Sequence, residues 1–226
     1  MVARARKNDG TKKATRTQRK RPASAKARAY HHGDLRSALL RAARDELHEV
    51  GWRALSLRSV ARRAGVTHTA AYHHFKDKGA LLAEIAVEGF RLLDQRMAEA
   101  MGAAGDDPLD RVTASAHGYL RMAVEDPAAY DLMFTGSDVD VSEELARVGA
   151  APFHRLVAAV EEARAAAGMK DAHLLDDAML HWEVVHGLAM LYRARRLERL
   201  GLDIEEHTRF VTERLRALYG RPPRSR

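Results

Sequence analysis

The chain has 226 residues, 46% of them hydrophobic, and no cysteine; a core can hold without staples, and a disulfide framework, a thiolate zinc site and a cysteine nucleophile are excluded. The missing cysteines suit a reducing cytoplasm, no apolar run reaches the ~20 residues that cross a bilayer, and the basic N-terminus lacks the apolar segment of a secretory signal, so a cytoplasmic protein is expected. The formal net charge of +7 divides into +10 over residues 1–29, +4 over 30–78 and −7 over 79–226, the footprint of a polyanion-binding front carried on an acidic domain.

Residues 1–29 hold eleven basic side chains against one acidic, almost no large apolar ones, and both Gly10 and Pro22. Such an arm cannot bury enough surface to order itself and is expected to be disordered when free. A first helix begins near Gly33, where Leu35, Leu39, Ala43 and Leu47 recur every four residues and Gly51 stands where a left-handed stop is wanted. Ser56 is a good N-cap for a short helix with Val60, Ala61 and Ala64 on one face and Gly65 at its end; Thr67 caps the next.

Two helices joined by three or four residues around a glycine form a helix-turn-helix, which places a DNA-binding domain at 30–78. Ala61 suits the crossing, Gly65 the positive φ of the turn, and Val66, Ala71 and Phe75 the seam beneath. The outer face of the second helix then presents Thr67, His68, Thr69, Tyr72 and His73, whose hydroxyls and imidazoles can meet base edges and phosphates. Arg58, Arg62 and Arg63 flank it. Lys78 opposes the dipole of the helix it opens, a poor choice for stability but a good one for phosphate, with helix-start amides and the Tyr72 hydroxyl completing an anion site.

From residue 79 a C-terminal domain runs to 226, opened by a connector helix over about 79–102 with Leu82, Ile85, Gly89, Leu93 and Met97 in period. Breaks at "GAAGDDP", "EDP", "FTGSDVDV", "AAAGMKD" and "RLGLD" delimit helices near 108–125, 127–134, 142–166, 171–194 and 204–219. No alternating strand pattern occurs, so the fold is all-α with nine helices: three in the head, one connector and five beyond. One segment is apolar on two sides: Leu175, Met179, Trp182, Val185, His186, Ala189 and Tyr192 make one stripe, while Leu180, Val184, Leu188 and Leu191 lie opposite. A single chain does not readily bury both. Glu183 with His186 and Asp177 with His181 lack the second helix a di-iron site needs, and no zinc-protease, phosphate-loop or nucleophile-elbow motif is present, so neither enzyme activity, metal nor cofactor is expected.

Residues 33–93 resemble the DNA-binding domain of the tetracycline-repressor (TetR) family of bacterial one-component regulators. The likeness rests on "GWRALSLRSVARRAGVTHTAAYHHFKDKGALL", in which Gly51, Trp52, Ala64, Gly65, Val66, Tyr72, Phe75, Lys78, Leu81 and Leu82 fill the family's places. His68 and Thr69 stand where the family varies with its operator, and Ala70 and Ala71 are smaller than the usual threonine and leucine. Further on, Trp182, His186 and Gly187 resemble the penultimate helix of a Trp/His-Gly (WHG) subgroup. The family resemblance implies a homodimer joined through the last two helices, with Trp182, Gly187 and Leu191 from one and Phe210, Leu215 and Leu218 from the other. It also implies an effector pocket, for which Tyr119, Met122, Tyr130, Met133 and Phe134 are candidates together with Phe153, His154, Trp182 and His186, a lining suited to a mostly apolar molecule. The expected function is that of a ligand-responsive regulator, a repressor, bound to a pseudo-palindromic operator in double-stranded DNA, hence associated with the nucleoid. An activator, and a protein that coats DNA nonspecifically through its arm, are the alternatives.

Overall fold

The computed structural model describes residues 25–169 and 172–219, with side-chain surroundings for 35–169 and 172–217. Met1–Leu35 and Arg36–Arg226 are separate units. The expected arm lies outside the described residues as far as residue 24; from Ala25 the backbone is already helical, where Ala25, Ala27 and Ala29 alternate with Lys26 and Arg28, all good helix formers.

Helix α1 (Ala25–Ala54) contains Gly51 at φ 75°, the positive-φ position expected of it, and is followed by α2 (Leu57–Arg63) and α3 (His68–Tyr72). The caps are those the sequence announces. Ser56 accepts from the Ser59 backbone in a reciprocal capping box, and Thr67 accepts from Ala70. Between the two helices Gly65 turns at φ 71° while the Val66 amide donates to the Ala61 carbonyl at 2.9 Å and that of Gly65 to Arg62 at 3.1 Å, a Schellman closure. Leu39, Leu47, Leu55, Val60, Ala61 and Phe75 form the floor, each at most 3% exposed.

The connector α4 (Lys78–Ala103) leads to α5 (Pro108–Glu125), α6 (Pro127–Thr135), α7 (Glu143–Ala166), α8 (Leu174–Arg193), α9 (Arg196–Arg199) and α10 (Ile204–Tyr219). An aspartate N-cap followed by proline at the first helical position starts both α5 and α6, and Ser142 starts α7. The described residues hold ten helices, one more than expected; the extra is the single turn α9, entered through Arg195 at φ 55°. Helices α4, α5, α7 and α8 enclose the main core. Where α4 crosses α5, a Cβ on Gly118 would stand 2.6 Å from the Arg96 carbonyl oxygen, so glycine is what allows the close approach. No helix among the described residues is long and apolar enough to cross a membrane.

Candidate nucleic-acid interface and effector site

Helix α3 is five residues long and cannot hold itself; its orientation comes from Ala71, fully buried, and from Phe75 beyond its end, 3% exposed. With that side anchored, Thr67, His68, Thr69, Tyr72 and His73 all face solvent, Tyr72 at 53%. Arg58 is exposed on α2, as are Arg62 and Arg63, the latter paired with Glu49 of α1. The short helix thus carries a contiguous polar face of hydroxyls and imidazoles with no acidic member.

Lys78 is placed differently from a free cation at a helix start. Its Nζ donates to the Arg53 carbonyl at 3.0 Å and to Asp138 at 3.1 Å, and stands 5.9 Å from the centre of the Trp52 ring. Asp138 belongs to the α6–α7 connection, 60 residues away in sequence. The start of α4 is N-capped by Asp77, which accepts from the Ala80 amide at 2.8 Å.

In the C-terminal domain most of the residues expected to line a pocket come together as an aromatic cluster. Tyr130 and Phe134 of α6 stand 4.7 Å apart, Tyr119 of α5 lies 5.1 Å from Trp182 of α8, and Phe153 of α7 is 5.7 Å from Trp182, all between ring centres. Trp182 and His186 are nearly parallel, with Phe134 edge-on to His186 at 4.9 Å. Met122 is fully buried and Met133 packs against the same core. His154 is corrected: it is exposed on α7, since the residue after an inward Phe153 is turned by about 100°. Phe90 of the connector, which sequence reasoning missed, packs edge-on against Phe134 at 5.5 Å; it lies three residues before Leu93 on α4's apolar face, and that spacing is the signal that marks it.

The cluster has one polar centre. The Tyr119 and Tyr130 hydroxyls lie 2.7 and 3.0 Å from His186 Nδ1. Burial raises both phenols, Tyr130 to about 12, so both stay protonated, and burial lowers His186, so its ring is neutral; the two hydroxyls, 3.4 Å from each other, share contacts with Nδ1 whose direction the histidine tautomer sets. The cluster thus combines aromatic faces with a few hydrogen-bonding tips. A cleft of about 280 Å³ reaches its edge at Gly89, lined also by Leu47, His48, Leu92 and Asp126; a Cβ on Gly89 would stand 2.6 Å from Met133 Sδ. Among the described residues no group of His, Asp and Glu is arranged to hold a metal.

The other side of α8 is open. Leu175, Met179, Leu180, Met190 and Leu191 remain exposed, and a Cβ on Gly187 would have nothing within 4 Å. Phe210 of α10 is 51% exposed as well. Of the other residues expected at a dimer interface, Trp182 is half-buried and packs on the aromatic cluster, and Leu215, 6% exposed, belongs to the protomer's own core. Leu218 lies outside the residues whose side chains are described.

The pattern described as "Bacterial regulatory proteins, tetR family" matches residues 39–85, which hold the later part of α1, α2, α3 and the start of α4, and "Tetracyclin repressor-like, C-terminal domain" matches residues 112–215. The chain belongs to the TetR family. TetR-family relatives include the HTH-type transcriptional regulator BetI of Stenotrophomonas maltophilia (strain R551-3), 31% identical over 83 residues; that match spans 37% of this chain and only 42% of BetI. A protein with unknown function from Rhodococcus sp. RHA1 is 30% identical, with a TM-score of 0.76 over 85% of this chain and 98% of that one. The regulator FadR of Bacillus subtilis, in complex with stearoyl-CoA, shares the fold at 14% identity, with a TM-score of 0.64 over 82% of this chain and 99% of FadR. The TetR family is one of transcriptional regulators rather than enzymes.

Proposed function

We propose that this TetR-family chain is a homodimeric repressor that binds a pseudo-palindromic operator and leaves it when a small, mostly apolar molecule enters the aromatic cluster. The observation that carries the DNA half is the outward face of α3, with Thr67, His68, Thr69, Tyr72 and His73 exposed while Ala71 and Phe75 fix the helix from below. His68, Thr69 and His73 read base edges; Arg58, Thr67, Tyr72 and Lys78 hold the backbone. Two such helices meet successive major grooves only when set about 34–36 Å apart. The open apolar face of α8, with Gly187 and Leu191 at its centre and Phe210 of α10 beside it, supports the dimer that sets this distance. Trp182, His186, Tyr119, Tyr130, Met122, Met133, Phe134 and Phe153 support the effector site, and an effector there that tilts α4 changes the spacing of the heads. The FadR structure supports the apolar character of the effector by showing a fold of this kind with an acyl-CoA bound. The protein acts in the cytoplasm, on the nucleoid when bound.

Selection from a pool of random duplexes tests this. The wild-type chain should enrich one pseudo-palindrome; His68→Ala and His73→Ala should change the preferred bases by about 1–3 kcal/mol of discrimination, and Tyr72→Phe should weaken binding without changing preference. A pool that enriches no sequence would point instead to nonspecific coating of DNA and sink the proposal.

A further inference from the structure

The segment between α6 and α7 carries two carboxylates that reach across to the end of the DNA-binding head. Asp140 Oδ2 lies 2.8 Å from Lys76 Nζ, and Asp138 Oδ2 lies 3.1 Å from Lys78 Nζ. These two lysines follow α3 directly and flank the N-cap of α4. The seat of the loop is built into the backbone as well as into the charges. The Asp140 amide donates to the Gly79 carbonyl at 3.4 Å, and a Cβ on Gly79 would stand 2.8 Å from both the Asp138 carbonyl oxygen and Asp140 Oδ1. Between the two acids Val139 packs on the small apolar cluster of Ala83, Ala86, Val87, Leu145 and Val148.

We propose that this loop is a built-in competitor for DNA: the carboxylates of Asp138 and Asp140 hold Lys76 and Lys78 where backbone phosphates would otherwise be gripped. The inference rests on the reading of α2 and α3 as the DNA-binding element. Both acids are about half exposed and Lys76 is 71% exposed, while Lys78 is 27% exposed and the Asp140 Oδ2 atom is covered; with this much of each pair in water, the carboxylates can be exchanged for a phosphate. Lys78 keeps its second tie, to the Arg53 carbonyl, and so stays aimed while its anionic partner changes. The loop follows α6 directly, whose Tyr130 and Phe134 sit in the aromatic cluster. An effector that shifts α6 therefore shifts the two carboxylates, and the strength of the competition becomes adjustable from the effector site.

The test is anisotropy of the full chain against a labelled duplex of arbitrary sequence at several salt concentrations. Asp138→Asn and Asp140→Asn should each tighten binding roughly two- to fivefold at low salt, the range expected when an exposed pair no longer has to be broken. Gly79→Ala, which crowds the loop without altering charge, should move affinity the same way. Glu143→Gln, which removes a nearby charge that touches neither lysine, should leave it unchanged. In a Lys76→Ala/Lys78→Ala background the salt slope should flatten by roughly 0.9 for each phosphate no longer neutralised, and the gain from the asparagines should vanish. Unchanged or weaker binding by the asparagine variants overturns the proposal, as does a gain that persists without the lysines, which would make it long-range repulsion. Absence of salt-dependent DNA binding by every protein, wild type included, would instead bring down the DNA-binding reading and the competition with it.

Discussion

The two ends of this molecule leave opposite kinds of surface open. In the head, apolar side chains close beneath α2 and α3, and what remains outside on α3 is polar, the surface of a part that meets a hydrated, charged partner. In the C-terminal domain, α8 sends Trp182, Val185, Leu188 and Ala189 inward and still has Leu175, Met179, Leu180 and Leu191 in solvent, the apolar surface on which the proposed dimer contact rests. The difference shows that an apolar stripe has two uses in one chain: beneath α3 it orients a short helix, and on α8 it supplies a second, unsatisfied face. Which side of each helix a residue occupies then decides what its substitution should do.

The largest effect should come from the open face of α8. Gly187→Arg places a charge at the centre of the proposed contact, where nothing now stands within reach of a Cβ. In a protomer alone it should cost little, since the position is open; in a dimer it is a desolvated, unpartnered cation, and association should weaken roughly a thousandfold or more. Light scattering with circular dichroism separates the two: monomer mass with an unchanged helical spectrum is expected, and a dimer of unaltered mass would place the interface elsewhere.

Trp182 is the matched residue on the inward face, five residues before Gly187. Trp182→Ala should destabilise the fold by about 3–5 kcal/mol, the range for removing a large aromatic from a packed core, because Tyr119, Phe153 and His186 would all be deprived of the ring they pack on. A urea titration of the monomeric Gly187→Arg background measures this without the contribution of assembly. A destabilisation well under 1 kcal/mol would mean that Trp182 serves the outer face after all.

The parts legible in the sequence were those with local causes. Ser56, Gly65 and Thr67 set the limits of α2 and α3, and Asp107–Pro108, Asp126–Pro127 and Ser142 those of α5 to α7, because a cap bonds within its own first turn. Features that depend on distant partners were not legible. The tie of Lys78 to Asp138 joins residues brought together only by the fold, and Lys76 with Asp140 is of the same kind. Trp182 and Leu215 carry no mark in the sequence that says which of two apolar faces will be covered by the protomer itself. His154 illustrates the limit at single-residue scale: spacing finds the helix, but the rotation that points Phe153 inward is set by the packing of α7. The turn α9 follows a left-handed arginine, a residue that gives no such signal.

A smaller effect, and one confined to the C-terminal core, concerns His181. It is 2% exposed and neither ring nitrogen has a hydrogen-bond partner. Burial lowers its pKa to about 4. The unfolded ring titrates near the ordinary 6.5, so the unfolded state takes up a proton first as pH falls. The associated stability is therefore full above about pH 6.5 and is lost progressively down to about pH 4, roughly 3 kcal/mol in all. His181→Leu should remove that slope, read as the difference between the two proteins' urea-unfolding free energies across this window. Parallel pH profiles would show that the ring is not held neutral in the core.

The smallest effect returns to the head. Ser56 caps α2 by accepting from the Ser59 amide at 3.1 Å, and Ser59 in turn accepts from the Ser56 amide at 3.2 Å. Ser56→Ala leaves the Ser59 amide, in the first turn of a seven-residue helix, without a side-chain acceptor, which costs about 1 kcal/mol. Because α2 carries Val60 and Ala61 into the floor beneath α3, the loss should appear as faster amide exchange in α2 and α3, with the C-terminal domain unaffected. Equal loss of protection in α7 and α8 would mean that the head and the C-terminal domain unfold as one cooperative unit, and that their contrast is one of surface alone.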